Sequence, residues 1–171
     1  IHHRKLDILC MRITKVTTKT GDGGKTSLGN GQRVHKNHPI INTLGELDYL
    51  NSIIGWAEVE SKNESFSSEL KNIQQDIFNI SGDLSLPNSD VSLLKEERII
   101  HLEKMIKSMN EKLPPLEEFI LPGGSELNAR LHIARTTCRN SERSLVSLHL
   151  EHDKNEIHAK YLNRLLDYLF L

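Results

Sequence analysis

The sequence predicts an all-α fold, an up-and-down bundle of five helices preceded by a glycine-rich N-terminal loop, and three observations carry that prediction. Apolar residues recur in alternating steps of three and four over five separate stretches. The breaks between stretches are short and polar or rich in proline and glycine. A chain of 171 residues is one domain's worth, so the five helices share a single core.

The loop comes first in the chain. Thr17 to Leu28 gathers three glycines, four threonines and two lysines. Glycines let successive backbone N–H groups turn toward an anion, threonine and serine add hydroxyls that can also meet Mg²⁺, and lysine adds charge. It reads as a phosphate cradle. Gly24-Lys25-Thr26 ends like the G-x-x-x-x-G-K-[ST] pattern, but Lys19 stands where that pattern needs glycine, and Met11 to Val16 is too short and charged to be its buried strand. An ordinary Gly/Asp turn in a flexible segment is the plain alternative.

Leu47, Leu50, Ile54 and Ala57 mark the first helix, and polar Ser61 to Ser65 ends it. Leu70, Ile73, Ile77, Ile80 and Leu84 mark the second, stopped by Leu86-Pro87-Asn88-Ser89. Ile99, Leu102, Ile106 and Met109 give the third. An irregular link follows, bracketed by Pro114-Pro115 and Pro122-Gly123-Gly124. The longest series, Leu127, Leu131, Ala134, Cys138, Ser141, Leu145 and Leu148, gives the fourth, and Leu162, Leu165 and Leu169 the fifth. Short links between helices of similar length favour antiparallel neighbours, hence a bundle of ferritin-like architecture.

Composition narrows the function. The net charge of −1 gives no reason to expect a nucleic-acid or membrane-surface partner. Cys10 and Cys138 lie far apart and form neither a zinc motif nor a disulfide framework, which fits a reducing, cytoplasmic setting. No apolar run approaches the ~18 residues of a membrane span. Residues 1–10 fit none of the later pattern and read as a leader or appended segment, with Met11 a candidate start and 11–171 a single domain. None of the nine histidines follows a glutamate by three, so the di-iron signature of some bundles is missing. His149 and His152 share a helix face but lack a third ligand in register, and no protein-held metal is expected.

Polar residues accompany the apolar stripes. Arg135, Arg139, Glu142 and Arg143 share one side of the fourth helix. Arginines so placed bind phosphates bidentately, or they form a solvated, ion-paired face. Asn163, Asp167 and Phe170 line up on the fifth helix, Asp48 and Asn51 on the first. Three helices with hydrogen-bonding residues beside their core stripes point to a polar pocket at the bundle edge or a subunit interface.

From Thr14 onward the chain resembles the PduO-type ATP:cob(I)alamin adenosyltransferases, in four blocks that keep the family's order. They are Thr18-Lys19-Thr20-Gly21-Asp22-Gly23-Gly24-Lys25-Thr26; Gly45-Glu46-Leu47-Asp48-Tyr49-Leu50-Asn51; Phe119-Ile120-Leu121-Pro122-Gly123-Gly124 with Ala134-Arg135 and Cys138-Arg139; and Tyr161-Leu162-Asn163-Arg164-Leu165 to Phe170.

The resemblance implies a homotrimer that binds ATP and the corrinoid between subunits. Cob(I)alamin attacks C5′ of ATP, forming adenosylcobalamin and expelling triphosphate. Thr18, Lys19, Thr20, Gly21, Asp22, Gly24, Thr26 and Ser27, with Lys36 behind, are implied to hold the triphosphate with Mg²⁺. Arg139 and Arg143 complete that clamp, and Glu142 and Asn163 contact the nucleotide. Asp48 is implied to pair with Arg135 across the subunit interface, and Phe119 and Phe170 to pack against the corrin. Tyr49 departs from the family at a position usually acidic, and Asn140-Ser141 replaces a usual Arg-Ala.

A non-catalytic ATP or corrinoid sensor, or an escort for adenosylcobalamin, is the rival from another class, and Phe119 favours catalysis over it. A cob(II)alamin reductase and an adenosylcobalamin-dependent client enzyme are the protein partners such chemistry implies. The compartment is cytoplasm, or the mitochondrial matrix in a eukaryote.

Overall fold

The structure is a computed structural model that describes residues 16–90, 92–115, 118, 120–152 and 156–171, with 149–152 by their backbone alone. Two short strands, β1 (Lys25–Ser27) and β2 (Arg33–His35), precede five helices: α1 (Pro39–Glu58), α2 (Glu64–Ser85), α3 (Glu96–Asn110), α4 (Glu126–His152) and α5 (Glu156–Phe170). The five predicted helices are present, and α4 lies at the centre, packed on α1 and α5, while α2 packs on α1 and α3 on α5.

Side-chain caps set several starts. Pro39 opens α1 with its fixed φ, and His38 Nδ1 accepts from the Ile40 N–H. Asn63 Oδ1 accepts from the Phe66 N–H before α2, and Ser125 Oγ from the Asn128 N–H before α4. The apolar stripes then meet: Leu47, Leu50, Ile54, Leu70, Ile73, Ile77, Ile80, Leu102, Leu145 and Leu162 are fully buried.

Three contacts fix α1 antiparallel to α4. Thr43 Oγ1 lies 2.9 Å from Ser144 Oγ, Ser141 Oγ donates to Glu46 O at 3.1 Å, and Arg130 Nη1 donates to Trp56 O at 2.6 Å. Ser141 therefore sits in the apolar stripe at no cost, because its hydroxyl is shared between Glu46 O and Thr137 O.

Two features were not expected from the sequence. One is the antiparallel hairpin, which occupies part of the stretch read as a loop and pairs Lys25 with His35, Thr26 with Val34 and Ser27 with Arg33. Leu28 and Val34 are its buried anchors. Gly29 sits against the end of α2, where its N–H donates to Ser85 O at 2.8 Å and a Cβ would lie 2.8 Å from Ser85 Oγ.

The other is a ladder of carboxylates spaced seven apart on α2: buried Glu69 and Asp76, and Asp83, a half-buried residue whose side chain is turned inward. Arg98 of α3 reaches two rungs, with Nη2 3.0 Å from Glu69 Oε1 and Nε 3.0 and 2.8 Å from the two oxygens of Asp76. Tyr161 of α5 donates to Asp76 at 2.7 Å, and Asp83 meets His158 Nε2 at 3.0 Å and the backbone N–H groups of Leu93 and Leu94. No helix among the described residues is long and apolar enough to cross a membrane.

Candidate functional site

The glycine-rich turn is built by its backbone. Asp22 N–H and Gly24 N–H donate back to Lys19 O (3.4 Å) and Gly21 O (3.1 Å), and Gly24 takes φ +77°, a region that suits glycine. Lys19 adopts φ 60°. Lys36 returns to the turn twice: its N–H donates to Gly24 O at 2.9 Å, and its ammonium lies over Gly21, where a Cβ would be 3.2 Å from Nζ. The missing side chain of Gly21 is the space the Lys36 head group uses.

Thr18, Lys19, Thr20, Asp22, Gly24, Ser27 and Lys36 are exposed, Gly21 and Thr26 half-buried, and Thr18 and Thr20 hydroxyls lie 3.0 Å apart. Lys19, Lys25 and Lys36 have no ion-pair partner among the described residues. The Asp22, Gly24 and Lys36 N–H groups are turned back on the chain, and what the turn offers an anion is hydroxyls and lysine charge without an ion-pair partner among the described residues.

The α4 face divides into two. Arg135 turns inward: Nε donates to His132 Nδ1 at 3.3 Å and the guanidinium sits 6.0 Å from the Phe170 ring, which His132 meets edge-on at 6.3 Å. Burial, with Arg135 beside it, holds the His132 pKa below its ordinary value, consistent with a neutral imidazole that accepts this bond. Arg139 and Arg143 point outward, exposed and without an ion-pair partner among the described residues. Glu142 is tied to α5, accepting from Asn163 Nδ2 at 3.2 Å. Asn163 Oδ1 in turn accepts from Arg164 Nη1 at 2.8 Å, and Arg164 Nε donates to Glu103 of α3 at 2.8 Å. An open groove of about 580 Å³ runs along this surface, lined by Asn140, Glu142, Arg143, Ser144, Val146 and Ser147.

The structure brings Glu142 to Asn163 and Arg135 to Phe170. Thr43 and Ser144 place the foot of the loop and the Arg143 turn of α4 at the same end of the bundle. Within one chain no hydrogen bond or ion pair joins the loop to Arg139 or Arg143 among the described residues, and none joins the exposed Asp48 to Arg135. Phe119 lies outside the described residues, as do Cys10 and the side chains of His149 and His152.

Four residues hydrogen-bonded to the candidate residues or to one another carry no functional signal in the sequence: Arg33, His132, Arg164 and Glu103. Arg164 lies within the family-like stretch Tyr161 to Phe170, and Arg33 lies beside buried Val34 among exposed basic neighbours, a signal legible only once a hairpin is assumed. Nothing in the spacing marks Glu103 or His132.

Comparison with known proteins gives one answer at every level. The model of the family described as cobalamin adenosyltransferase matches residues 16–171. The cobalamin adenosyltransferase of Cupriavidus metallidurans is 45% identical over 161 residues, covering 94% of this chain and 86% of its own. The corrinoid adenosyltransferase PduO of Citrobacter freundii is 40% identical over 91% of this chain, which spans only 48% of that longer relative. A variant of the PduO-type ATP:corrinoid adenosyltransferase of Lactobacillus reuteri, solved with cobalamin and ATP, superposes with a TM-score of 0.86 at 36% identity, over 91% of this chain and 90% of that one.

Proposed function

The chain belongs to the cobalamin adenosyltransferase family, and on that premise we propose how its own residues carry the reaction. It is an enzyme that transfers the 5′-deoxyadenosyl group of ATP to the cobalt of cob(I)alamin, forming adenosylcobalamin and triphosphate. The cobalt is the nucleophile and the C5′–O bond of ATP breaks. No proton need leave the nucleophile, so the protein's contribution is to orient C5′ against the cobalt and to neutralise charge on the departing triphosphate.

In this reading the turn from Thr18 to Ser27 and the Lys36 ammonium hold the triphosphate. Thr18, Thr20 and Asp22 offer the hard oxygen donors suited to a Mg²⁺ that arrives on the nucleotide. Arg139 and Arg143, exposed and unpaired among the described residues, add bidentate donors. Glu142 and Asn163 receive the nucleoside, and Asn163 has an amide able both to donate to and to accept from a ribose hydroxyl. Phe170, beside Arg135, is assigned to the corrin, and Phe119 takes the same role by family resemblance alone. The loop and the arginine face stand unjoined in one chain, which favours a homotrimer in which one subunit's loop closes on its neighbour's α4, with Asp48 pairing to Arg135 across the same boundary.

The observation that carries this reading is the turn itself: lysine charge, without an ion-pair partner among the described residues, held over a glycine backbone at the end of the bundle where α4 presents Arg143. The experiment is an anaerobic assay with chemically reduced cobalamin and MgATP, following the decay of Co(I) absorption and the growth of light-sensitive adenosylcobalamin. Product that requires ATP and falls with Lys36→Ala and Arg139→Ala supports the assignment. Normal turnover in both variants removes the triphosphate site from this surface.

A further inference from the structure

Arg33 differs from the lysines around it, because three hydrogen bonds tie its guanidinium to the protein. Nη2 donates to Thr20 O at 2.7 Å and to Lys25 O at 3.3 Å, and Nη1 donates to Ser27 Oγ at 3.2 Å. Thr20 enters the glycine turn, while Lys25 and Ser27 belong to the strand that leaves it. One planar fork therefore spans the mouth of the turn. Its own position is fixed by the hairpin, in which Arg33 stands opposite Ser27 beside the buried Val34.

We propose that Arg33 is a positioning residue for the triphosphate: it holds the glycine-rich turn in its binding shape before nucleotide arrives, and it orients the Ser27 hydroxyl as a donor. This rests on the reading that the turn holds the triphosphate. A turn with glycine at 21, 23 and 24 loses much backbone freedom when it closes on a ligand, and a cross-link made in advance removes part of that loss from the binding step. Ser27 Oγ has one hydrogen to give. By accepting from Arg33 it leaves that hydrogen for an incoming phosphate oxygen, and accepting a charge-assisted bond strengthens the hydroxyl as a donor. Arg33 and Lys36 divide the work. Lys36 lies over Gly21 with its ammonium unspent, and supplies charge; Arg33 supplies geometry.

A lysine at position 33 keeps the charge but has no planar fork to reach Thr20 O, Lys25 O and Ser27 Oγ together. That separates the proposal from a purely electrostatic role. The test is steady-state kinetics and MgATP binding on the full chain for wild type, Arg33→Lys, Arg33→Ala and Lys36→Ala, with the unliganded melting midpoint of each.

Both Arg33 variants should raise KM for ATP by about tenfold, the loss of one or two net hydrogen bonds. Their kcat at saturating ATP and their KM for cobalamin should match wild type, and Arg33→Lys, which spares the bundle, should keep the wild-type midpoint. Arg33→Lys with a wild-type KM for ATP overturns the proposal, as does a fall in kcat with KM unchanged. If Lys36→Ala leaves KM for ATP unchanged, the turn does not hold the nucleotide and the reading beneath fails with it. A raised KM in Lys36→Ala beside an unaffected Arg33→Lys sinks the Arg33 inference alone.

Discussion

Gly21 and Gly24 sit three residues apart and are glycine for different reasons. At Gly24 the backbone requires it, since φ +77° strains any residue with a Cβ by about 1 kcal/mol. At Gly21 the neighbour requires it: an added methyl meets Lys36 Nζ at 3.2 Å and Cε at 3.3 Å, the free end of a flexible chain. Gly21→Ala is therefore expected to fold as wild type while Lys36 is displaced, raising KM for ATP several-fold without moving the melting midpoint. Arg139→Ala makes a complementary case. An exposed arginine with no ion-pair partner among the described residues contributes within about 0.5 kcal/mol to stability, so its removal should leave the midpoint unchanged. In kinetics it should cost tenfold or more, about 1.4 kcal/mol or above, if it meets phosphate oxygens. At this scale the crowding of glycine, threonine and lysine suggests a phosphate site, though an ordinary Gly/Asp turn shares that composition. The bonds of Arg33 were not legible, because an arginine that bonds carbonyls looks the same in sequence as one that meets solvent.

Elements were legible to the extent that burial imposes a period. Leu70, Ile73, Ile77, Ile80 and Leu84 announce α2 and are buried as expected, as is the α4 series from Ala134 to Leu148. The hairpin gave no such signal, since three-residue strands with one buried side chain in β2 cannot show a period of two. Nor did the acid ladder of α2, because Glu69, Asp76 and Asp83 at seven-residue spacing read equally as a solvated stripe until Arg98, Tyr161 and His158 arrive from α3 and α5. The ladder has a consequence in pH. Burial alone would raise the Asp83 pKa, but the His158 bond and the Leu93 and Leu94 N–H groups outweigh it and hold the carboxyl below its ordinary value. A depressed folded pKa contributes stability that is complete above the unfolded value of about 3.9 and is lost as pH falls through the lower folded value. Asp83→Asn should thus cost about 1–3 kcal/mol near neutrality, by leaving buried donors poorly matched, and should flatten the loss of stability below about pH 4. Denaturant titrations of both proteins from neutral to acid pH measure it, and parallel curves would mean that Asp83 does not titrate differently in the fold. At Asp76 burial pushes the carboxyl pKa up, with the Tyr161 hydroxyl and Arg98 opposing it, so that rung gives no such acid-side stability.

At the scale of the whole molecule, a single chain leaves unjoined the two surfaces that the proposed reading brings to one site. The loop, with Lys36, shares an end of the bundle with Arg143 while Arg139 stands at the middle of α4, and no bond among the described residues joins the loop to either. Tyr49, Trp56 and Ile133 are large hydrophobic residues exposed on α1 and α4. The proposed trimer resolves the separation by building each site from two subunits, one giving its loop and the next its α4 face. That arrangement has a numerical consequence in a closed, head-to-tail ring. Lys36→Ala subunits keep a sound arginine face, and Arg139→Ala subunits keep a sound loop. Co-expressed in equal amounts and assembled at random, they place a sound loop against a sound face in one half times one half of the sites. About a quarter of wild-type specific activity should then return, although neither variant alone exceeds a small fraction of it. If loop and face instead belonged to one chain, every site in the mixture would keep one lesion and no activity would return. Mixing the separately purified trimers without exchange gives the baseline. Recovery near one quarter, with the ATP KM of wild type, is the result the shared site requires.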